Sequence, residues 1–514
     1  MPAKPIQQLG AGGVVKDTPN VQLGENMFTD IRNMRCINNG IEAMKGEVVR
    51  RTMINNLPAY GLHWRRPDQG YDIYLQDGKA VRVDAGGSEA FMLNSASASY
   101  TNSVWQTEFF NGGYAVIINN GKSTPLYALY GDPVAGSTFQ PFPNWNHSGL
   151  TIYAKAIRTL GYSLVAINLT LDDGSTITNA PSTVRISVQA ATGAFPNIWL
   201  PGFTTDTADE FEVNSTSPLL DGAELRGSMF LYSSDTIHVL SINTGNSRVA
   251  PYAKGYGVLN TGCIAEFDGN HFVVDRNDIY AHNGSGLPRS LVDKRLRRYF
   301  FTNLNKAYSN KVFVQKHTTM QEIWVCYPKG SSTVCNEALV FNYKDNVWYF
   351  RDLTGGPRSM FTSYGVSGGQ YQYADEQTVQ CLGTATVLTA ESGYQFWNGS
   401  ALADFTSYVE RLNLFSGNAL EANLITALCP VVETDQTSPT VLVHVRGKNT
   451  ALTPEDWSNV SGREVTNFKP KDLGAQGYKV DPRSHGRFYS YRMSCTGHWR
   501  IALLGIETKP SGAR

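Results

Sequence analysis

The stretch EFDGNHFVVDRNDIYAHNGSG, residues 266–286, contains three short strand patterns separated by turn signals. Asp268-Gly269 is a dipeptide that suits a tight hairpin turn with positive φ. The apolar run 272–274 is typical of a strand buried on both faces. Residues 279–280 predict the next strand, before a turn at Asn283-Gly284. Because Gly and Asn recur every few residues, no apolar stripe with helical spacing survives, and the stretch predicts β-hairpins.

The same order of aromatic residue, turn, apolar strand and turn recurs along the chain. The recurring units are anchored at Ile73, Ala115, Leu164, Phe230, Phe272, Ile323 and Gln395. Successive anchors are 42, 49, 66, 42, 51 and 72 residues apart. Several steps match the roughly 40–50 residues of a four-stranded propeller blade, and the longer ones leave room for insertions. The spacing therefore predicts an all-β chain, a β-propeller of six or seven blades.

The composition favours strands and turns, and it argues against a surface that binds nucleic acid along the whole chain. The 514 residues include 48 Gly, 26 Tyr and 23 Phe, and only 17% are charged. Aromatic residues favour strands, and Gly favours turns. Lys plus Arg and Asp plus Glu both number 44, so the net charge is zero. A protein that holds nucleic acid along its length normally carries a basic excess.

No run of apolar residues reaches the length that a membrane span requires, so no span is predicted. The first residues also lack the apolar segment of a secretory signal. The seven cysteines are scattered and form no CxxC pair. This pattern predicts neither a zinc site nor a disulfide framework, and it favours free thiols in a reducing cytosol.

Sequence motifs that carry chemistry are missing or incomplete. Gly121-Lys122-Ser123 invites comparison with a phosphate-binding loop, but Val116 stands where the first glycine is required and Pro125 prevents the helix that should follow. The nine histidines are scattered, and paired carboxylates such as Asp172-Asp173 occupy expected hairpin turns. We therefore predict no enzyme activity, no catalytic, cofactor-binding or metal-ligating residue, and no cofactor.

One charge cluster allows two interpretations. Lys294, Arg295, Arg297 and Arg298 precede the aromatic run 299–301. They could form a solvated face. They could instead line a channel that DNA passes or anchor a contact between subunits, since aromatic residues interleaved with basic ones can stack on nucleotides. The aromatic residues here equally suit the core of a blade, and the solvated face is the favoured interpretation.

The first fifty residues do not follow the blade pattern. Gly13-Val14-Val15-Lys16-Asp17 and Asn33-Met34-Arg35-Cys36 suggest an extended arm followed by a strand and a hairpin. Such an arm must dock on its own propeller or on a neighbouring subunit. The sequence predicts three regions: an N-terminal arm and docking hairpin over 1–50, a β-propeller with insertions over 51–410, and a further β region over 411–514.

The order of these motifs resembles the tail nozzle proteins of short-tailed bacteriophages, also called tail tubular protein B or packaged-DNA stabilisation proteins. The resemblance begins with the arm and is strongest over residues 255–353. The motifs there are Phe267-Asp268-Gly269, Asp278-Ile279-Tyr280, Val292-Asp293-Lys294-Arg295, Ile323-Trp324-Val325-Cys326-Tyr327-Pro328 and Asn342-Tyr343-Lys344-Asp345-Asn346-Val347-Trp348. It ends in the tail Lys509-Pro510-Ser511-Gly512 and is weakest over 360–480.

The resemblance implies a structural virion protein of the viral tail, made in the host cytoplasm. Such proteins form a ring, usually a homohexamer, below the adaptor, or head-to-tail connector, protein. The ring retains packaged DNA, conducts it during genome ejection without sequence specificity, and carries fibre or spike proteins. The aromatic content leaves an alternative open, a carbohydrate-binding propeller of a phage fibre or cell surface. A hydrolase whose site no motif reveals is a third possibility.

Overall fold

The computed structural model describes residues 4–66, 69–130, 138–200, 207–242, 247–415, 421–435, 441–451, 457, 465–468 and 480–510. The Ser511-Gly512 end of the nozzle-like tail lies outside these residues. Within them, seven four-stranded antiparallel units follow one another and form a β-propeller. At five of the seven blade boundaries, the first strand of one blade contacts the first strand of the next, so these strands surround the axis. The all-β propeller prediction is confirmed, with seven blades.

The first four blades each take four strands that are consecutive in sequence. Blade 1 has the strands Tyr60–Arg65, Gly70–Gln76, Lys79–Val83 and Glu89–Asn94. Blade 2 has Gln106–Phe110, Ala115–Asn119, Leu126–Leu129 and Gln140–Pro141. Blade 3 has Thr151–Leu160, Ser163–Asp172, Ile177–Ile186 and Asp209–Glu212. Blade 4 has Leu219–Leu225, Ser228–Ser233, Thr236–Ser241 and Arg248–Lys254.

Blades 5 and 6 continue this pattern, and blade 7 closes the ring with a strand from near the N-terminus. Blade 5 has Ile264–Phe267, Asn270–Val274, Ile279–His282 and Arg289–Ser290. Blade 6 has Phe313–His317, Glu322–Tyr327, Glu337–Asn342 and Val347–Asp352. Blade 7 has Ser359–Ser367, Gln370–Cys381 and Thr386–Ala390, completed by Glu47–Thr52. The ring is thus closed by strand pairing between distant parts of the chain.

The decisive stretch folds as its turn chemistry predicts. Asp268 and Gly269 have φ of 46° and 71°, the left-handed values that a tight hairpin needs. Phe272 and the two valines after it are fully buried in the second strand of blade 5. Six of the seven sequence anchors, Ile73 through Ile323, likewise fall on the second strand of blades 1 to 6.

The seventh anchor, Gln395, is wrong. It lies in a two-stranded ribbon, Gln395–Trp397 with Leu402–Asp404, and not in a blade. The second strand of blade 7 is Gln370–Cys381, whose first half is largely exposed and polar. Because this half has two tyrosines between polar residues and no run of aliphatic residues, it does not show the pattern by which the other blades are found.

Both ends of the chain build a second β region together. A nine-stranded sheet extends blade 6 beyond Val347–Asp352 with the strands Asp30–Arg32, Thr406–Leu414, Phe488–Thr496, Val441–Lys448 and Val465–Phe468. A six-stranded sheet contains Met34–Ile37, Gly40–Ala43, Arg500–Pro510, Asn423–Glu433 and Ser484–Gly486, with Lys4–Pro5 paired to Arg500–Pro510. We call these two sets of added strands the terminal sheets.

The arm passes from one terminal sheet to the other at Asn33. This residue has φ of 57°, which turns the chain between the strands Asp30–Arg32 and Met34–Ile37. Its amide nitrogen donates to an Asp352 carboxylate oxygen at 2.9 Å, and its amide oxygen accepts from the Asp352 backbone N–H at 2.8 Å. The arm of this chain therefore docks on its own blade 6 and its own C-terminal strands.

One hydrophobic core runs through blades 5 and 6 and the terminal sheets. Ile31 and Ile41 from the arm, Val409 from the C-terminal strands and Trp324 from blade 6 belong to the same buried cluster. The ends of the chain are therefore not an independently cored unit. The predicted boundaries at 50 and 410 remain predictions; in the structure, Glu47–Thr52 is part of blade 7.

Helical elements are short and lie in connections. The only α-helix in the part of the chain that the structure describes is Arg297–Asn303, between blades 5 and 6. The 3₁₀ segments are Asn20–Gln22, Ala98–Tyr100, Asn111–Gly113 and Lys306–Lys311. No described helix has the length and apolar character needed to cross a membrane.

Candidate functional site

A cavity of about 680 Å³ opens near the propeller axis, at the ends of the blades where the first strands begin. It is lined by residues in or beside six of the seven blades: 59–61, 76–77, 102–107, Arg158, 261–262, 310–314, 334–335 and 357–360. We call it the axial cavity. Its volume falls within the range of about 300–1,000 Å³ that is usual for small-ligand pockets.

One wall of the axial cavity carries an ion cluster formed by three successive first strands. Arg158 of blade 3 lies 2.8 Å from an Asp221 oxygen of blade 4 and 3.4 Å from a Glu108 oxygen of blade 2. The other Asp221 oxygen accepts from the Gly262 backbone N–H, before blade 5, at 3.0 Å. The cluster therefore links four neighbouring blades across their inner edges.

Glu108 gives this cluster a titration near neutral pH. Burial raises the pKa of the Glu108 carboxyl to about 7, opposed by the Arg158 charge and reinforced by that of Asp221. The charge of the cluster therefore changes near pH 7, as the Glu108 carboxyl gains or loses its proton.

The opposite side of the axial cavity carries two exposed cations, Lys311 and Arg358. The Lys311 ammonium donates to the Thr333 carbonyl at 2.7 Å and lies 4.9 Å from the centre of the Tyr308 ring. Arg358 lies against Gly383, where a Cβ would come within 2.5 Å of the Arg358 Nε. Gly383 has φ of 77°, and because it has no side chain, the Arg358 guanidinium can occupy the space beside it.

The one thiol in the cavity lining is chemically inert. Cys335 is 1% exposed, and its thiol lies 3.2 Å from the Lys311 carbonyl, to which it donates. Burial raises the pKa of this thiol to about 12, with Lys311 opposing the rise. Because the thiolate is the nucleophile, a thiol that stays protonated supplies no nucleophilic chemistry here.

A Ser, a His and an Asp meet between blades 7 and 1, where the ring closes. Asp72 accepts from the Ser363 hydroxyl at 2.6 Å and bonds His63 Nδ1 at 2.8 Å, while Arg50 lies 2.9 Å from its second oxygen. The Ser363 hydroxyl thus bonds the carboxylate, and the His63 Nε2 has no partner among the described residues. In a catalytic triad the serine would bond the Nε2. The arrangement fastens the two blades instead.

A second buried histidine cluster joins blades 4 and 5. The Tyr232 hydroxyl lies 2.7 Å from both His271 Nδ1 and His282 Nε2. Burial lowers the pKa of both imidazoles, that of His282 to about 3 with the neighbouring His271 adding to the effect. Both rings are therefore neutral at pH 7. Sequence reasoning missed both histidine clusters, because each is completed by a residue of a neighbouring blade, Ser363 in the first and Tyr232 in the second, and no local motif marks them.

The basic run of the sequence docks the arm. Asp17 accepts from the Arg298 and Tyr299 backbone N–H groups at 2.6 and 2.9 Å, which caps the helix Arg297–Asn303. The Arg295 carbonyl accepts from the backbone of 16–17, and its side chain donates to the Asn346 carbonyl at 3.0 Å. The side chains of Lys294, Arg297 and Arg298 are exposed. The backbone of the run is thus a contact within the chain, and three of its charges face solvent.

The described residues include no group of three or more His, Cys, Asp or Glu side chains arranged to hold a metal ion. Gly121-Lys122-Ser123 forms the turn between two strands of blade 2, with Gly121 at φ of 70°. Its interpretation as a hairpin turn is confirmed.

No protein family and no curated protein sequence matches the chain. Among solved structures, it is similar to virginiamycin B lyase from Staphylococcus aureus, at 8% identity and a TM-score of 0.40, over 66% of this chain and 97% of that one. It is also similar to the RRP9 WD40 repeats, at 8% identity and a TM-score of 0.40, over 68% of this chain and 99% of that one. The WD40 β-propeller domain of Doa1 matches at 9% identity and a TM-score of 0.40, over 67% of this chain and 96% of that one. These similarities concern the β-propeller fold alone.

Proposed function

We propose that this chain is a structural subunit of the tail nozzle of a short-tailed phage, without catalytic activity. The motif order that resembles nozzle proteins is strongest over residues 255–353, which form blades 5 and 6 and the helix between them. The same segment receives the arm, since Asp17 caps the helix and Asp30–Arg32 extends blade 6. The strongest part of the resemblance thus coincides with the part of the fold on which the N-terminal arm docks.

The observation that carries the proposal is the fusion of the propeller with the terminal sheets. A shared core and a nine-stranded sheet make the second β region continuous with blade 6. The chain therefore offers two unlike surfaces, propeller blades and terminal sheets, in one body. A closed ring of identical subunits needs such unlike surfaces, because its contacts are heterologous.

In the proposed ring, DNA passes between subunits and not through one propeller. The axial cavity has a volume of about 680 Å³, which suits a small molecule and not a duplex. The lumen is then formed by the outer surfaces of several chains. A net charge of zero fits this role, because a lumen that bound phosphates tightly would slow DNA that must slide.

The experiment adds purified protein to DNA-filled capsids that carry the adaptor ring but lack this chain, and counts bound copies by cryo-electron microscopy. We expect a closed ring with six copies, and we expect the filled capsids to lose less DNA with the protein than without it. Capsids without the adaptor are the control and should bind none. Single copies, or copies attached only to fibres, would contradict the ring and favour the carbohydrate-binding alternative.

Removing the first thirty residues is a poor test of assembly for this chain. The strand Asp30–Arg32 pairs with Val347–Asp352 on one side and with Thr406–Leu414 on the other. Removing residues 1–30 takes Asp30 from this strand and the buried Val14 and Phe28 from the shared core, so a failure to assemble would report misfolding.

A further inference from the structure

The axial cavity has an unbalanced charge. Its lining contains the cations Arg158, Lys311 and Arg358 but only one carboxylate, Asp77. Arg158 is compensated by the carboxylates behind it, as described above. Among the residues that the structure describes, no carboxylate forms an ion pair with Lys311 or Arg358.

We propose that the axial cavity binds a small anionic molecule of about monosaccharide size, held through a carboxylate or phosphate group by Arg358 and Lys311. Arginine presents a planar fork that matches either group, and lysine supplies a compact positive charge. The inference rests on the cavity and its charges alone. It holds whether or not the chain forms a nozzle ring.

The two cations are held toward the same part of the lining. The Cys335 thiol donates to the Lys311 carbonyl at 3.2 Å, and a Cβ on Gly356, two residues before Arg358, would come within 2.8 Å of Val334, the neighbour of Cys335. Because the Thr333 carbonyl holds Lys311 and the space at Gly383 seats Arg358, less side-chain freedom is lost on binding.

The remaining lining suits the body of such a ligand. Tyr60, Trp105 and Phe313 supply aromatic surface, and Gln106 and Asn102 supply polar groups. Asp77 accepts the Asn102 backbone N–H at 2.9 Å, so part of its acceptor capacity is already used. Small-ligand sites commonly combine an apolar wall with a few charged groups in this way.

The test uses three probes with the same sugar ring: glucose, glucuronate and glucose 6-phosphate. Binding to the full chain is measured by isothermal titration calorimetry. We expect one or both anionic probes to bind and glucose to bind at least tenfold more weakly. Glucuronate alone would identify a carboxylate site, and glucose 6-phosphate alone a phosphate site. Affinity should fall as salt rises, because charge supplies the selectivity.

Two variants place the binding in the cavity. Arg358→Gln and Lys311→Gln should each weaken the anionic probe about tenfold or more, while leaving the thermal unfolding midpoint unchanged because both side chains are exposed. The matched control, Arg298→Gln, removes an exposed cation outside the cavity and should bind like the unaltered chain. The proposal is overturned if no anionic probe binds at about 10 mM, if glucose binds equally well, or if the control weakens binding as much as the cavity variants.

Discussion

Replacing Arg35 by Met tests whether buried ion pairs fix the arm to the propeller. The Arg35 side chain is 7% exposed. Its guanidinium lies 2.9 Å from a Glu322 oxygen of blade 6 and 2.8 Å from a Glu391 oxygen. Methionine matches the unbranched stem of arginine but lacks its guanidinium head, and so removes the charge and the hydrogen bonds. Two buried carboxylates then lose a partner.

The structure sets the expected size of the effect. Breaking a buried ion pair by removing one partner usually costs about 3–5 kcal/mol, because the other charge stays buried. Here both carboxylates keep some support: Glu322 accepts from Trp324 at 2.8 Å and from Tyr349 at 2.7 Å, and Glu391 keeps Arg351. We therefore expect a loss near the lower limit, about 3 kcal/mol in the free energy of unfolding.

The measurement is urea unfolding followed by tryptophan fluorescence, with Lys316→Met as the matched control. The Lys316–Glu266 pair spans 3.4 Å, with side chains 31% and 50% exposed, so its loss should cost at most about 1 kcal/mol. Adding Glu322→Gln to the Arg35 variant should restore part of the stability, since one uncompensated charge disappears. A loss below about 1 kcal/mol, or equal to that of the control, would refute the reasoning.

Three further predictions concern other contacts. Because the pKa of Glu108 is raised in the folded chain, the contribution of this group to stability is full below about pH 4 and is lost as pH rises through about 7. In a curve of unfolding free energy against pH, Glu108→Gln should therefore flatten the part between these values. An unchanged curve would contradict the prediction. Tyr232→Phe leaves His271 and His282 without their shared hydrogen-bond partner and should lower the free energy of unfolding in urea by about 1–3 kcal/mol. An unchanged free energy would show that neither hydrogen bond stabilises the fold. Asp17→Ala removes the helix cap and should lower the free energy of unfolding by about 1 kcal/mol in the same assay. An unchanged free energy of unfolding would show that the cap does not stabilise the chain.

The blades could be found in the sequence because their signals are local. A dipeptide such as Asp268-Gly269 selects a tight turn through its own backbone preferences, and the apolar run after it marks a strand whatever lies elsewhere. The anchor for blade 7 failed for the same reason. The first half of Gln370–Cys381 is mostly exposed and has no run of aliphatic residues, so its sequence lacks the local signal.

The candidate site could not be found in this way. Glu108 and Arg158 are 50 residues apart in sequence, and Arg158 and Asp221 are 63 apart. Each lies on an inner strand with no motif around it. Only the packing of neighbouring blades brings these three residues together behind the cavity wall, where Arg158 reaches the lining; Lys311 and Arg358 line the axial cavity from other blades.

The sequence by itself determined the strands, the turns and the succession of blades, because hairpins depend on neighbouring residues. The tertiary structure alone decided how the ring closes, where the arm docks and which charges face the cavity. Glu47–Thr52 completes a blade whose other strands lie more than 300 residues later, and Asp30–Arg32 joins blade 6 to the C-terminal strands. Such pairings depend on burial and backbone hydrogen bonds between distant segments, which no local pattern specifies.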